Sequence, residues 1–216
     1  NDERDALLKR FAEAFNARKL DASASAEISA EWLKLQARSL ELRKKYHGEI
    51  SNALSPLQGA QFLQVEHRIE TMTDLLIAAE SPLIATKYLG RNPEAVAMLV
   101  ELAELLSIPV VQQLNHVNFP TDHPLYVGSQ TTKFAKDADL LFFIDIDVPW
   151  EPPSRSVLRS DVKIIHLERD PLFTAIPGWG FPADLPLTGC SEATLPALNS
   201  LIKAKLVAGA GRSVAR

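Results

Sequence analysis

Two aspartates, Asp145 and Asp147, follow an apolar run at residues 140–144. A buried strand that ends in Asp-x-Asp is how one class of magnesium-dependent phosphatase presents a nucleophile and a neighbouring acid. Asp145 would be the nucleophile of such an enzyme. A phosphatase of this type also needs a later acidic cluster, and the later aspartates are isolated: Asp161, Asp170 and Asp184. The alternative is that both aspartates cap a strand end and contact neighbouring loops.

Gly90 and Asn92 form a second candidate site, for a phosphate group. Gly90 follows the apolar run that starts at Pro82, and a glycine at such a place lets a backbone amide approach a phosphate. Asn92 followed by Pro93 is typical of a helix start. Because the amino end of a helix carries partial positive charge, it favours an anion. The pattern therefore indicates a nucleotide-binding turn.

Further polar residues follow other predicted strands. In an open parallel sheet the loops after the strands converge at the carboxyl edge, so Gln112, Asp147 and Glu168 are expected to share one crevice with Gly90. Asp145 and Asp147 would repel a diphosphate there. We therefore expect an empty or weakly occupied crevice. The candidate cofactor-binding residues are Gly90, Asn92, Gln112, Asp147 and Glu168.

Other reactive side chains give weaker signals. His116 and His123, with Asp122 between them, could hold a metal or act as a base, but no third ligand is evident. His166 lies inside a predicted strand and is interpreted as a packed histidine. Cys190 has no nearby partner for nucleophilic catalysis. The sequence contains no P-loop, nucleophile elbow or Cys-x-x-Cys pair, so we predict no catalytic residue and no metal site.

The elements that must position these residues alternate between strand and helix. Apolar segments predict strands near Leu83 and at 108–111, 140–147, 162–167 and 185–188. Periodic apolar residues predict helices at 68–80, 93–106 and 191–207. The strand at 140–147 is apolar without alternation at its start, as in parallel strands that are covered on both faces. The predicted fold class is α/β: a Rossmann-like parallel sheet with helices on both faces.

The first part of the chain has a different pattern. Amphipathic segments at 3–18 and 27–46 predict an N-terminal helical hairpin with Phe11, Phe15, Trp32 and Leu35 on its apolar side. Gly48 is expected to end the second helix, and 48–66 to form a connector with one short helical turn. The predicted domains are a helical appendage and connector at 1–65 and a central α/β, nucleotide-binding-like domain at 66–216.

Composition excludes several classes of protein. The chain has 216 residues, with 23 basic and 27 acidic side chains and a net charge of −4. This balance gives no basic surface for nucleic acid or for an anionic membrane. No apolar run is long enough to span a membrane. The single cysteine favours a reducing compartment, so we predict a cytoplasmic protein, with an organelle matrix as the other setting.

Five segments in order resemble the central domain of thiamine-diphosphate-dependent enzymes, and the acetolactate synthase-like branch is the most similar. They are 82–90, 102–111, 118–128, 137–145 and 162–171. The resemblance implies a six-stranded parallel sheet with helices on both faces. It also implies a scaffold that is not catalytic alone, within a homo-oligomeric 2-oxo acid decarboxylase or carboligase.

Cofactor chemistry in that family depends on parts that lie outside the central domain. The resemblance implies a glutamate from a preceding domain and a Gly-Asp-Gly motif with a downstream asparagine from a following one, which hold thiamine diphosphate and magnesium. This chain contains neither motif. Its first residue is Asn1 rather than methionine, so we expect an excised or processed piece whose partners are the missing catalytic domains.

Some members of the family bind FAD or ADP in the central domain, and others bind nothing. The flavin binders keep a richer glycine turn than the one at Gly90 and a Gly-Ala-Arg where Asp145 to Trp150 stand here. Two alternatives to the scaffold remain open. The first is a free-standing FAD- or ADP-binding module, and the second is a magnesium-dependent phosphatase that uses Asp145.

Overall fold

The computed structural model describes residues 22–113, 116–149, 158–173 and 181–208. These residues divide into two compact units. One comprises the residues up to His67 together with those from Leu201 onward, and the other runs from Arg68 to Ser200. The helix predicted at 3–18 lies outside the described residues. Within them, no helix is long and apolar enough to cross a membrane.

Two long helices begin the described chain, α1 at Ala22–Ala53 and α2 at Pro56–Ala78. Only two residues separate them, and α2 starts with Ser55 as its cap, since the amide of Gln58 donates to Ser55 Oγ over 3.2 Å. Up to His67 the helices form a hairpin. Arg43 Nε lies 2.8 Å from Glu66 Oε1 across it. Near the turn, a Cβ at Gly59 would collide with the side chain of Ser51, so α2 approaches α1 closely there.

The prediction of a connector at 48–66 is wrong, because α1 and α2 cover nearly all of this segment. Gly48 does not end α1, since a single glycine inside a helix costs only about 1 kcal/mol relative to alanine. The Ser55-Pro56 pair marks the start of a helix rather than a loop. Trp32 and Leu35 are half-buried, whereas Phe11 and Phe15 lie outside the described residues. The domain boundary near residue 65 stays a prediction.

The second unit contains a six-stranded sheet in which every neighbouring pair is parallel. Its strand order is β3-β2-β1-β4-β5-β6. The strands are β1 at Pro82–Thr86, β2 at Val110–Gln112, β3 at Tyr126–Gly128, β4 at Leu140–Ile144, β5 at Lys163–Glu168 and β6 at Leu185–Thr188. The predicted α/β fold with a Rossmann-like parallel sheet is confirmed.

Short and long helices lie between the strands and after the last one. They are a 3-10 turn at Leu89–Arg91, α3 at Pro93–Leu106, α4 at Thr131–Ala135 and α5 at Ser191–Ala208. Asn92 caps α3, because its side chain accepts a hydrogen bond from the amide of Glu94 over 3.1 Å. Ser107, in the left-handed conformation at φ 53°, ends that helix. The bounds predicted for α3 are those observed.

The core is centred on the two middle strands. Every residue of β1 and β4 is buried, so both faces of the sheet are covered at its centre. On one face the cluster includes Leu83, Leu141, Phe143 and Ile164. The uninterrupted apolar sequence of β4 is explained by this double burial. The residues that follow β1 and β4 are therefore held by rigid elements.

Candidate functional site

The sheet has a topological switch point between β1 and β4. From β1 the chain proceeds outward through β2 and β3, and it then returns to the other side of β1 for β4, β5 and β6. The loops after β1 and β4 therefore diverge, and in open α/β sheets this divergence leaves a ligand crevice at the carboxyl edge. The switch point therefore lies at the carboxyl ends of β1 and β4.

A cleft of about 300 Å³ lies at this edge. Its charged lining residues are Arg91, Asp145, Glu168, Arg169 and Glu192. Tyr88, Asn92, Cys190 and Ser191 also line it. They come from the loops after β1, β4, β5 and β6, so four strands contribute. Three carboxylates face two guanidinium groups, which gives the lining a formal charge of −1.

Asp145 is held in the cleft by both its backbone and its side chain. Its backbone is left-handed at φ 49°. Its amide donates to Leu167 over 3.0 Å, and its carbonyl accepts from the amide of Tyr88 over 2.9 Å. Its carboxylate accepts a 2.6 Å hydrogen bond from Ser191 Oγ at the first residue of α5. Burial raises the pKa of Asp145 despite that hydrogen bond, and the charge of Glu192 adds to the rise.

Glu168 lies at the end of β5 and also lines the cleft. Its Oε1 accepts a hydrogen bond from the amide of Arg169 over 2.8 Å. Burial raises the pKa of Glu168, and the nearby charge of Asp145 raises it further. The charge of Asp145 thus opposes the ionisation of Glu168. Arg169 contacts Glu192 at 3.9 Å, while the guanidinium of Arg91 lies 4.2 Å from the ring centre of Tyr88.

Asp147, two residues further on, has a different environment. Lys87 Nζ lies 2.8 Å from its Oδ1, and the hydroxyl of Tyr88 donates to its Oδ2 over 3.0 Å. Burial alone would raise the pKa of Asp147, but the hydrogen bonds from Lys87, the amide of Val148 and Tyr88 outweigh it and lower the pKa. Asp147 is a paired carboxylate that ties the loop after β1 to the loop after β4.

Gly90 and Gln112 have packing partners in the loop that follows β2. The amide of Gly90 donates to Asn118 Oδ1 over 2.9 Å. A Cβ at Gly90 would collide with the backbone carbonyl of Val117, so the glycine is required by this close approach. The buried Gln112 accepts from the amides of Asn118 and Phe119 over 2.8 and 2.9 Å. Both residues order the loop at 116–119.

The five predicted cofactor-binding residues therefore separate into two groups. Asn92 and Glu168 line the cleft, whereas Gly90, Gln112 and Asp147 are not among its lining residues. The sequence pattern did not indicate Arg91, Arg169 and Ser191. Only their positions could have indicated them. Each lies one to five residues after a strand, at the carboxyl edge of the sheet, and Ser191 also starts a helix. Whether any of these residues binds a cofactor stays a prediction.

The remaining reactive residues have structural contacts. The ring of His123 packs edge-on against Phe119 at 4.9 Å, and its Nε2 lies 3.3 Å from Glu104. His166 is buried, with Nε2 2.9 Å from the carbonyl of Ile146, and burial lowers its pKa. Among the residues that the structure describes, no group of three or more His, Cys, Asp or Glu could hold a metal ion.

A model of the family described as "Thiamine pyrophosphate enzyme, central domain" matches residues 69–198. This range contains all six strands and more than half of the chain. The chain belongs to the family of thiamine pyrophosphate enzyme central domains. The resemblance noted in the sequence is thereby confirmed. The comparisons give no support to a magnesium-dependent phosphatase or to a free-standing nucleotide-binding module.

Solved structures show the same fold. A candidate thiamin diphosphate-dependent enzyme from Mycobacterium smegmatis is 23% identical, with a TM-score of 0.53 over 63% of this chain and 28% of that one. Benzoylformate decarboxylase from Polynucleobacter necessarius is 22% identical, with a TM-score of 0.53 over 63% of this chain and 27% of that one. The chain thus spans less than a third of the length of either protein. No curated protein matches the sequence significantly.

The described residues of the central domain do not fit thiamine diphosphate with its magnesium ion. Magnesium is held by carboxylates together with the substrate phosphates, and no metal-binding cluster is present among the described residues. A diphosphate at the carboxyl edge would also face Asp145, Glu168 and Glu192. We therefore assign no step of cofactor chemistry to this chain.

Proposed function

We propose that this chain is the central scaffold domain of a thiamine-diphosphate-dependent enzyme that decarboxylates or carboligates a 2-oxo acid. The observation that carries the proposal is the family match across residues 69–198, over a sheet of six parallel strands. The similarity of this sheet to part of a benzoylformate decarboxylase supports the same class of substrate. Other domains of the enzyme would supply the cofactor site.

The internal contacts of the α/β unit support a framework role. The Lys87–Asp147 ion pair joins the loops after β1 and β4 directly. Gln113 Nε2 makes a second link, because it donates to the carbonyls of Val148 and Pro149 over 2.8 and 3.1 Å. Such contacts hold the carboxyl edge in one arrangement. A domain that is ordered by its own side chains suits a structural role between catalytic domains.

The proposal extends to the setting of the enzyme. Thiamine diphosphate and magnesium would be held outside this chain, and FAD or ADP would not be required. The enzyme would be a homo-oligomer, as the resemblance implies. The single cysteine fits a reducing compartment such as the cytoplasm or an organelle matrix. The candidate substrates are 2-oxo acids such as benzoylformate and pyruvate.

The test is an activity assay on the native protein that carries this sequence. The protein is stripped of thiamine diphosphate and magnesium by dialysis against a chelator, and carbon dioxide release is then measured with benzoylformate and with pyruvate. Carboligation products are followed in the same reactions. We expect turnover of at least one 2-oxo acid only when cofactor and magnesium are both restored. Absence of any cofactor-dependent turnover or carboligation would refute the proposal.

A further inference from the structure

The first turn of α5 already has an anion beside it. Ser191, the first residue of this 18-residue helix, donates from its hydroxyl to Asp145 Oδ2 over 2.6 Å. A carboxylate at the amino end of a helix interacts favourably with the helix dipole. Asp145 follows β4 with a left-handed backbone at φ 49°, and its carboxylate reaches the first residue of this helix. The protein therefore supplies an internal anion at this point of the cleft.

A phosphoryl ligand would compete for the same place. In a sheet of this topology, a phosphate is expected at the carboxyl edge near the switch point, against helix amino ends. The amino end of α3 offers little to it, because Pro93 has no N–H and the amide of Glu94 donates to Asn92 Oδ1. The amino end of α5 is the other candidate, and Asp145 lies against it.

We propose that Asp145 is the residue that excludes phosphoryl ligands, such as nucleoside diphosphates, from this cleft. Asp147 has no such role, although the sequence alone does not distinguish the two aspartates. Asp147 is neutralised by Lys87 at 2.8 Å and does not line the cleft. This inference goes beyond the proposed function, because it concerns ligand selection in the central domain and does not depend on any catalytic activity.

The charges of the cleft explain why one side chain can determine whether a phosphoryl ligand binds. With Asp145 ionised, three carboxylates face the two guanidinium groups of Arg91 and Arg169. Removing the Asp145 carboxylate leaves two carboxylates and two guanidinium groups. It also leaves the hydroxyl of Ser191 without its 2.6 Å acceptor, so a donor at the helix start becomes available to an oxyanion.

Two substitutions separate the charge of Asp145 from its volume. Asp145→Gly suits the left-handed backbone and removes both charge and side chain. Asp145→Asn also tolerates a positive φ and can still accept from Ser191, but it carries no charge. Asp137→Asn is the matched control. It makes the same change in net charge at an exposed position that precedes β4, at the amino edge of the sheet.

The experiment is calorimetric titration of the 216-residue chain and its three variants with inorganic pyrophosphate and with ADP near neutral pH. We expect no saturable binding to the wild type or to Asp137→Asn. Asp145→Gly should bind pyrophosphate at least tenfold more tightly than the control, and Asp145→Asn should show a smaller gain, because its side chain still fills the space. Thermal unfolding verifies that each variant is folded.

Two results would overturn the inference. One is micromolar binding of pyrophosphate or ADP to the wild type, since the cleft would then accept phosphoryl groups with Asp145 in place. The other is a folded Asp145→Gly chain that binds no more tightly than Asp137→Asn. If the glycine variant does not fold, Asp145→Asn decides the matter, and equal affinities for it and the control would refute the role of Asp145.

Discussion

Lys87 Nζ lies 2.8 Å from Oδ1 of Asp147, across the switch point of the sheet. The lysine follows β1 and the aspartate follows β4, so one ion pair connects the two loops that would otherwise diverge. Both side chains are largely buried, with 15% of Lys87 and 32% of Asp147 exposed. Burial alone would lower the pKa of Lys87, but its hydrogen bonds to Asp147 and Tyr88 outweigh burial and raise the pKa. The pair therefore stays charged.

The first prediction concerns the stability that this pair contributes. Asp147→Asn should lower the free energy of unfolding by about 1 to 2 kcal/mol at neutral pH, since a partly buried, charged hydrogen-bonded partner is lost. Because the pKa of Asp147 is lowered, its contribution is present above the ordinary value of 3.8 and is lost as pH falls through the folded value. Urea unfolding of both proteins as a function of pH measures the effect.

Asp137→Asn serves as the control for that experiment, because Asp137 is 82% exposed and its nearest cation lies 3.9 Å away. This variant should stay within about 0.5 kcal/mol of the wild type. Equal losses for Asp147→Asn and Asp137→Asn would show that the ion pair contributes nothing specific. A difference between wild type and Asp147→Asn that is already lost at a pH above 3.8 would contradict the assigned pKa direction.

The second prediction distinguishes a packing glycine from a helix-weakening one. Gly90→Ala should destabilise the chain by about 1 to 3 kcal/mol, because its Cβ would meet the backbone carbonyl of Val117, which cannot rotate away. Gly48→Ala should stabilise it by up to about 1 kcal/mol, since Gly48 lies inside α1 with nothing within 4 Å of the added carbon. Unfolding of the two variants under identical conditions provides the comparison, and opposite signs are expected. Equal effects would mean that the loop at 116–119 yields to the added methyl group.

The third prediction concerns the buried imidazole of His166. Burial lowers its pKa below the ordinary value of 6.5, although the hydrogen bond to the carbonyl of Ile146 acts in the opposite sense. The unfolded chain therefore binds this proton first, so stability is lost as pH falls from about 6.5 towards the folded pKa. The slope should approach about 1.4 kcal/mol per pH unit within that window. His166→Gln, which keeps an N–H donor, should reduce the slope in the same window. An unchanged slope would mean that other groups cause the pH dependence of stability.

Sequence pattern predicted the elements that carry strong local signals. Asn92-Pro93 and the apolar period of α3 defined that helix, and the continuous apolar run defined β4. The connector predicted at 48–66 was wrong because Gly48 was interpreted as a helix stop, whereas a single glycine inside a helix costs only about 1 kcal/mol and α1 continues through it. β3 was not predicted as a strand, since Tyr126–Gly128 has only three residues, all half-buried.

The candidate site was predictable in position but not in side-chain direction. Strand ends placed Asn92 and Glu168 at the carboxyl edge, where the structure has them. Asp145 and Asp147 look equivalent in the sequence, yet one contacts Ser191 and the other Lys87. These partners lie 46 and 60 residues away, so only the folded sheet brings them together.

We propose that this chain supplies framework rather than the cofactor site. The most direct test of this role is calorimetric titration of the 216-residue chain with thiamine diphosphate in the presence of magnesium. The absence of a Gly-Asp-Gly motif and of a metal-binding cluster among the described residues predicts no saturable heat of binding. Saturable binding at micromolar thiamine diphosphate would contradict the account.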